Sequence, residues 1–371
     1  MRIFKYMPSR LLWICSTLTP YNSFLFRVLH SEPQFDLHIV TSKKYDPRHP
    51  WSTDLGSGFM VRPMRKFLWI DWRLVGEAIK PNTDMVVIAG WNTPTVVLVT
   101  GLLAILGLPF ALWTDTPDVH ANRKLLKSIL RNRWLLWIFH HAKVVMGTGE
   151  PAIQALQNMG CPATKIVKFP FFVDLDHYDK QSRARNDVKI TRFVSVGRVE
   201  NSVKAHHIAI QAFARMQHNI DFNSEWEYVV VGGGPDVDNL RELVADVGLS
   251  DNITITGWME PDEVRKILQQ AHIFVHPSLR DAYPAAVLEA MAAGLPVIGS
   301  DASGSVLDRV VHQENGLIHI AGDVSELSDH LEWSMINFEK MIDMGRAARV
   351  TAETWPVSKA IEIINDVVNG Q

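Results

Sequence analysis

The sequence predicts an α/β protein with two parallel-sheet domains. Short apolar runs bounded by turn residues alternate with helix-length segments, a pattern typical of parallel sheets covered by helices on both faces. A length of 371 residues suits two domains rather than one. The polar stretch 177–188 contains few apolar side chains and is the best linker candidate. We therefore predict an N-terminal domain over 1–180, a C-terminal domain over 181–350, and a terminal helical segment, 351–371, that can pack back on the first domain.

The individual elements follow from the same alternation. The predicted strands are buried apolar runs at 37–41, 85–89, 110–113 and 144–147 in the first half, and at 192–196, 227–231, 252–256, 273–276 and 296–299 in the second. The predicted helices of the second half cover 207–216, 235–247, 261–270, 286–293 and 357–368. Because such sheets bind ligands outside the carboxyl ends of their strands, residues that follow the strands are the first site candidates.

One long apolar run, 96–113, is the serious candidate for a membrane span. Gly101, Gly107 and Pro109 interrupt it, so we favour a buried helix followed by a buried strand. The N-terminal apolar stretch 11–14 is too short for the core of a signal peptide. A cytoplasmic protein is therefore expected.

Composition excludes several classes of function. With a net charge of −3 the composition does not point to nucleic acid, whose phosphates favour a strongly basic face. The two cysteines, Cys15 and Cys161, have no metal-ligand spacing and imply no disulfide framework. We expect two buried or half-buried thiols in a reducing compartment.

Cations and glycines follow two strands of the second half. Gly197 and Arg198 end the first strand, and Lys204 lies just before the next helix, an arrangement that suits a diphosphate. Ordinary solvated cations are the alternative. Three glycines, 232–234, follow the next strand but lack the spacing of a dinucleotide fingerprint. They indicate either a phosphate-binding turn or a tight connection between strand and helix.

Two carboxylates flank a helix start in the segment 276–300. Asp281 lies in the polar loop after the strand that ends at His276, and a helix opens near Ala285. The free N–H groups and the dipole of that helix start favour an anion. Glu289 lies about one turn further along and can reach a hydroxyl-bearing ligand. A sugar joined to a diphosphate and a ribose needs these groups.

Together these segments resemble the signature of the retaining glycosyltransferases of family 4, the glycosyl transferases of group 1. The family motif has two glutamates with seven residues between them, followed by Ala-Met-Ala and Gly-x-Pro. Asp281 occupies the first glutamate position and Glu289 matches the second. Further matches in family order are Gly197-Arg198, Lys204, 231–235, Gly257, Pro277-Ser278 and 314–317. The resemblance is strong over 165–323 and implies the GT-B fold, two Rossmann-like domains facing each other across a cleft.

The resemblance also implies roles for residues. Glu289 would bind the nucleotide ribose, Asp281 would contact hydroxyls of the donor sugar, and Gly197, Arg198 and Lys204 would bind the diphosphate. The other implied donor-binding residues are Ala285, Ala286 and Val287 at a phosphate, and Trp258 and Met259 beside the base. The implied co-substrate is a UDP- or GDP-linked sugar, with no further cofactor.

The first domain departs from the family pattern. Many members carry a glycine-rich loop after the first strand, whereas 17–26 contains no glycine; Asn22 and Ser23 at the helix start are the acceptor-side candidates. Many members also carry a histidine after an apolar strand, where this chain has Asp115, with His120 five residues later. We predict that Asp115 contacts the donor sugar or acceptor. His120 is an acceptor-side candidate whose alternative role is structural.

The predicted reaction is sugar transfer with retention at the anomeric carbon, and retention rests on the resemblance alone. Charge builds on the leaving diphosphate, where Arg198, Lys204 and a helix N-terminus would stabilise it without a metal. No Asp-x-Asp pair of the metal-binding kind stands out. The predicted catalytic residues are therefore Asp281, Asp115, Arg198 and Lys204, and no metal ligand is predicted. We expect a glycan, lipid-linked or small-molecule acceptor, in the synthesis of cell-surface polysaccharide or glycoconjugates.

Three alternatives stay open. The basic, Trp-rich segment 123–140 could lie peripherally on the inner face of an anionic membrane, or it could be an ordinary domain helix with its basic face in water. A GT-B epimerase of nucleotide sugars would use the same architecture and act without an acceptor. A non-catalytic protein that binds nucleotide sugars would lose affinity, but no turnover, when Glu289 is replaced.

Overall fold

The computed structural model describes residues 7–43, 61–65, 67, 69–91, 93–117, 125–178, 190–219 and 225–370. By its internal contacts the chain divides into two compact units. Unit 1 comprises Met1–Phe172 and Val357–Gln371, and unit 2 comprises Val173–Pro356. The first boundary precedes the polar linker because Val173, Leu175 and Tyr178 pack in a hydrophobic cluster of unit 2.

Unit 1 is built on a parallel sheet of seven strands within the described residues, in the order β3-β2-β1-β4-β5-β6-β7. Its strands are β1 (Ser9–Cys15), β2 (Phe35–Thr41), β3 (Val61–Pro63), β4 (Met85–Ala89), β5 (Phe110–Thr114), β6 (Val144–Gly147) and β7 (Ile166–Lys168). Its helices are α1 (Pro20–Ser31), α2 (Trp72–Ala78), α3 (Pro94–Leu106), α4 (Leu125–His141), α5 (Glu150–Asn158) and, at the end of the chain, α13 (Ser358–Asn369).

Unit 2 is built on a parallel sheet of six strands within the described residues, in the order β10-β9-β8-β11-β12-β13. Its strands are β8 (Ile190–Val196), β9 (Glu225–Val231), β10 (Ile253–Gly257), β11 (Ile273–His276), β12 (Val297–Ser300) and β13 (Gly316–His319). Its helices are α6 (His206–Asn219), α7 (Val237–Asp246), α8 (Pro261–Gln270), α9 (Ala285–Ala292), α10 (Gly304–Arg309), α11 (Val324–Ile336) and α12 (Phe338–Glu353).

Both sheets have the doubly wound strand order of the Rossmann fold. In each unit the order reverses beside the first strand, between β1 and β4 in unit 1 and between β8 and β11 in unit 2. Ligands of open α/β sheets bind at such reversal points, outside the carboxyl ends of the strands. The prediction of two parallel-sheet α/β domains is confirmed, and all nine predicted strands occur.

The apolar run 96–113 forms the predicted helix and strand, α3 and β5. Gly107 ends the helix in the left-handed conformation, with φ of 66°, which glycine adopts without strain. Among the described residues, no helix is both long enough and apolar enough to cross a bilayer. Both cysteines are free and buried, as the sequence predicted.

The terminal helix α13 belongs to unit 1. The Lys143 ammonium, just after α4, donates a hydrogen bond of 3.0 Å to the carbonyl of Val368 on this helix. Its buried side chains are Ala360, Ile364 and Val367. These apolar residues have the period of an amphipathic helix, which explains why the helix needs a surface to cover.

Candidate functional site

Backbone segments meet closely at the carboxyl ends of β8 and β9. A Cβ atom on Gly232 would lie 1.8 Å from the carbonyl oxygen of Gly197, and one on Gly234 would lie 2.1 Å from that of Val199. No side chain fits at either position, so glycine is required for this approach. Trp258, after β10, packs beside Gly233 at 3.4 Å from the equivalent Cβ position. The two glycine segments found in the sequence therefore form one surface.

Lys204 and Asp281 form an ion pair beside this surface. The Lys204 ammonium contacts the Asp281 carboxylate, and the aliphatic stem of Lys204 lies over Gly197. The His276 ring places Nε2 3.5 Å from the same carboxylate. Burial favours the neutral acid, but the His276 ring and the Lys204 charge outweigh it and hold the pKa of Asp281 below its usual value. Asp281 is therefore an anion that neutralises Lys204.

The loops that carry this pair are fastened to each other. The carbonyl of Val203 accepts a hydrogen bond of 2.9 Å from the N–H of Leu279. The N–H of Asp281 donates to the carbonyl of Ala302 at 3.0 Å, and the carbonyl of Asp281 accepts from Gly304 at 2.9 Å. These backbone hydrogen bonds thus fix the position of the Asp281 side chain relative to the sheet.

Arg198 lies next to the same glycine surface. Its Nε is 3.0 Å from the Glu200 carboxylate, and the side chain is largely buried. Both predicted diphosphate ligands, Arg198 and Lys204, are therefore held near the carboxyl end of β8 by acidic neighbours. An anionic ligand would compete with these carboxylates for the cations.

The start of α9 supplies the third anion-binding feature. Pro284 caps this helix without a side-chain hydrogen bond, and the backbone of Ala285, Ala286 and Val287 forms its first turn. The first N–H groups of a helix have no intrahelical acceptor and favour negative charge. This is where the sequence predicted a phosphate.

Glu289 lies one turn along α9. Burial raises the pKa of its carboxyl to about 7, and the opposing charge of Arg265 on α8 only partly compensates. Tyr178 is buried nearby, and the negative charge of Glu289 helps to raise the pKa of the Tyr178 hydroxyl. A half-buried carboxyl whose pKa lies near neutrality is a candidate for hydrogen bonding to ligand hydroxyls.

The raised pKa of Glu289 predicts a pH-dependent stability. The native state binds the proton more tightly than the unfolded chain, where the pKa is near the ordinary 4.5. The free energy of unfolding should therefore fall as pH rises from about 4.5 to about 7, by at most ~3 kcal/mol. Denaturant melts at pH 5 and 7.5 measure this difference. Glu289→Gln should remove most of it, and an unchanged difference would contradict the raised pKa of Glu289.

Sequence reasoning assigned no role to the histidines beneath the site. His276 ends β11 and His206 begins α6, and both are buried. Burial lowers the pKa of both rings, that of His206 to about 3, so both are neutral near pH 7. The signal for His276 was its place at the end of a strand; the sequence carried no comparable signal for His206.

The acceptor-side candidates of unit 1 are less accessible than predicted. Asn22 and Ser23 lie in the first turn of α1, and both side chains are buried. Thr19 accepts the N–H of Asn22 through its hydroxyl and the N–H of Ser23 through its carbonyl. The helix start is thus capped from within the chain. Within the described residues the Oδ1 of Asn22 and the Oγ of Ser23 have no hydrogen-bond partner.

The remaining candidates are only partly described. Asp115 is exposed and directly follows β5, at the carboxyl edge of the sheet of unit 1. His120 lies outside the described residues, as do 123 and 124 of the segment 123–140. The rest of that segment lies in α4, where Leu135, Ile138 and Phe139 are buried in the core. Within the described residues no group of three or more His, Cys, Asp or Glu side chains could hold a metal ion.

The chain is similar to known glycosyltransferases. The family model described as Glycosyl transferases group 1 matches residues 178–351. The amylovoran biosynthesis glycosyltransferase AmsK of Erwinia amylovora is 29% identical over 246 residues, which are 65% of this chain and 54% of the relative. The putative colanic acid biosynthesis glycosyltransferase WcaL of Escherichia coli is 27% identical over 223 residues, 58% of this chain and 53% of the relative. The chain spans about half the length of these curated relatives.

Solved structures extend the likeness to both units. The crystal structure of Anabaena Alr3699/HepE in complex with UDP and glucose superposes with a TM-score of 0.75 and 14% identity, covering 98% of this chain and 100% of that one. At this identity the likeness shows the fold. The resemblance to the group 1 enzymes is confirmed, and assignment to family 4 stays a prediction. Residues 178–351 thus match the glycosyl transferases group 1 family, in a chain whose two parallel-sheet α/β units have the GT-B fold.

Proposed function

We propose that this protein is a retaining, metal-independent glycosyltransferase that moves a sugar from a nucleotide-sugar donor to a glycan, lipid-linked or small-molecule acceptor. The observation that carries the proposal is the meeting of Arg198, Lys204 and Asp281 on a glycine surface, in a domain that matches the group 1 family. The names of its relatives support a role in cell-surface polysaccharide or glycoconjugate synthesis. A cytoplasmic location stays a prediction of the sequence.

Unit 2 would bind the donor. Arg198, Lys204 and the first turn of α9 would hold the diphosphate, with Glu289 at the ribose. The bare backbone at Gly197 would let the ligand approach. Trp258 and Met259 would lie beside the base. A UDP- or GDP-linked sugar fits this arrangement, and the complex of the Anabaena protein with UDP and glucose supports the first. The donor sugar itself is not proposed.

The reaction would break the bond between the anomeric carbon and the leaving phosphate oxygen. A new bond to an acceptor hydroxyl oxygen would form on the same face of the sugar, and the hydroxyl proton would pass to the leaving diphosphate. Negative charge then builds on the diphosphate, where preorganised cations and N–H groups stabilise the transition state. Lys204 would exchange its contact with Asp281 for the diphosphate, which frees Asp281 for the hydroxyls of the donor sugar. Asp115 is proposed as a further polar contact of donor sugar or acceptor, with Asn22, Ser23 and His120 on the acceptor side.

Transfer assays test this function. Purified protein would be incubated with UDP- and GDP-sugars, with and without extracted glycan and lipid acceptors, and the freed nucleotide measured. We expect nucleotide release that needs an acceptor, survives EDTA, and gives a product with the anomeric configuration of the donor by NMR. Conversion of the donor without acceptor would favour an epimerase. Binding without any release would favour a non-catalytic binding protein, and loss of activity in EDTA would contradict metal independence.

A further inference from the structure

Asp281 is the common partner of two side chains that come from different elements. The ammonium of Lys204, just before α6, contacts one oxygen of the Asp281 carboxylate. Nε2 of His276, at the end of β11, lies 3.5 Å from the same oxygen. The side chains of Lys204, Asp281 and His276 are 20%, 13% and 4% exposed. A largely buried carboxylate thus lies between a permanent cation and a ring that becomes a cation when it takes up a proton.

The His276 ring is held in place beside this carboxylate. Its strand, β11, lies inside the sheet, hydrogen-bonded to β8 on one side and to β12 on the other. The ring stacks on that of Phe274, with 6.2 Å between the ring centroids and 12° between the planes. The backbone of Asp281 is hydrogen-bonded through both its N–H and its carbonyl. Ring and carboxylate therefore stay adjacent when the long side chain of Lys204 moves.

Few charges act on the His276 ring. Within the described residues, the titratable groups that act on it are Asp281 in the following loop, Lys204 and His206 at the start of α6, and His319 at the end of β13. Burial lowers the pKa of both His206 and His319, so these two rings are neutral near pH 7. In this set Lys204 is the cation and Asp281 the anion, and their pairing sets the local charge balance.

Lys204 helps to keep the His276 ring neutral in the free protein. Burial lowers the pKa of His276 below its usual value, Asp281 opposes that lowering, and the Lys204 charge adds to it. While the ammonium contacts Asp281, the carboxylate is already neutralised. A second cation at the ring would be repelled by the first, so the proton stays in solvent.

A bound diphosphate changes this balance. If Lys204 turns to the diphosphate, the Asp281 carboxylate loses its cation in a site that is largely closed to water, and an unpaired buried charge is strongly unfavourable. The ordinary pKa of histidine is 6.5 and that of aspartate 3.8, so near neutrality the ring takes up a proton more readily than the carboxylate does. The negative charge of the diphosphate favours the imidazolium further.

We propose that His276 replaces Lys204 as the cationic partner of Asp281 when the donor diphosphate binds, by taking up one proton from solvent. This inference rests on the proposed function, in which Lys204 exchanges Asp281 for the diphosphate. The N–H at Nε2 then donates to Asp281, which stays an anion and accepts hydrogen bonds from the donor sugar. His276 is thus a positioning residue that acts through Asp281. When the diphosphate leaves, Lys204 returns and the proton goes back to solvent.

Calorimetric titration of the full chain with UDP-glucose and with GDP-mannose tests this exchange of partners. The diphosphate diesters of these probes do not titrate near neutrality, so buffers of different ionisation enthalpy report protons taken up by the protein. We expect uptake of up to one proton for each nucleotide sugar bound. Because the bound state then holds more protons, the affinity should fall as pH rises above neutrality, by at most about tenfold per pH unit.

Three variants identify the group that takes up the proton. His276→Gln should remove the uptake and flatten the dependence of affinity on pH. Lys204→Ala should also bind without uptake, because its ring already pairs with Asp281 before the ligand arrives. His319→Gln is the matched control, since it changes another buried histidine at a strand end of the same sheet, and it should keep the uptake. Glu289 titrates in the same range, so the measure is the difference between the two histidine variants.

NMR of the histidine ring carbons in the unaltered chain gives a second measurement, which needs no folded variant. One histidine should titrate at higher pH when the nucleotide sugar is bound. Uptake that persists in His276→Gln, or binding with no uptake by the unaltered chain, would overturn the exchange of partners and leave the proposed function intact. Absence of binding by both probes would contradict the UDP- or GDP-linked donor, and the exchange with it.

Discussion

Lys204→Ala should lower kcat/KM of sugar transfer by about 10²–10³-fold, the cost of removing one preorganised group that stabilises developing charge. In the structure the Lys204 ammonium contacts Asp281, with its stem over Gly197, beside the bare backbone at which we place the diphosphate. The loss should appear mainly in kcat if the cation acts on the departing diphosphate. Steady-state kinetics with the identified donor measures it.

Lys266→Ala is the matched control, because this exposed lysine lies on α8 of the same unit. Its kcat/KM should stay within twofold of the unaltered protein. Lys204→Ala also leaves Asp281 without its ammonium partner, so a melt must show that the fold survives. A folded Lys204→Ala protein with unaltered kinetics would remove Lys204 from the site.

Gly232→Ala should both destabilise unit 2 and weaken donor binding. The added Cβ would lie 1.8 Å from the Gly197 carbonyl oxygen, so one of the two backbone segments must move. Overpacking of this kind costs about 1–3 kcal/mol in the free energy of unfolding. The moved segment carries Arg198, so affinity for the nucleotide should fall as well. Denaturant melts and calorimetric titration with the nucleotide measure the two effects.

Gly76→Ala provides the control for this substitution. Gly76 lies in α2 with open space around its Cβ position and ordinary helical geometry, so alanine should be neutral or stabilising by up to ~1 kcal/mol. A Gly232→Ala protein as stable as Gly76→Ala, with full nucleotide affinity, would contradict the close approach of the two glycine segments.

The fold was predictable where burial leaves a continuous apolar run. Strands such as β4 and β11 are buried on both faces of a parallel sheet, so their sequences contain nothing but apolar residues before the strand end. β13 was missed because its apolar part is only two residues, Leu317 and Ile318, between Gly316 and His319. β1 was missed as a strand because its apolar run was considered only as a targeting signal, although it is the buried centre of the first sheet.

The sequence predicted which site residues follow the ends of strands. It did not predict which of these residues pair with one another. Parallel topology brings Arg198 and Asp281 to one edge, which sequence can anticipate. The pairing of Lys204 with Asp281 joins residues 77 positions apart. It depends on how far the two loops extend from the edge of the sheet, which no sequence motif specifies. Asn22 and Ser23 are buried in the first turn of α1, which Thr19 caps. The sequence alone does not show this local geometry.

Thermal unfolding of the purified protein against a panel of nucleotide sugars and free nucleotides tests most directly whether unit 2 carries a donor site. A ligand at a hundred times its dissociation constant should stabilise the native state by about 2.7 kcal/mol. We expect one nucleotide sugar to raise the Tm, and Arg198→Ala and Glu289→Ala proteins to show no response to it. A Tm that stays flat across the panel, even with acceptor extracts present, would contradict the transferase function.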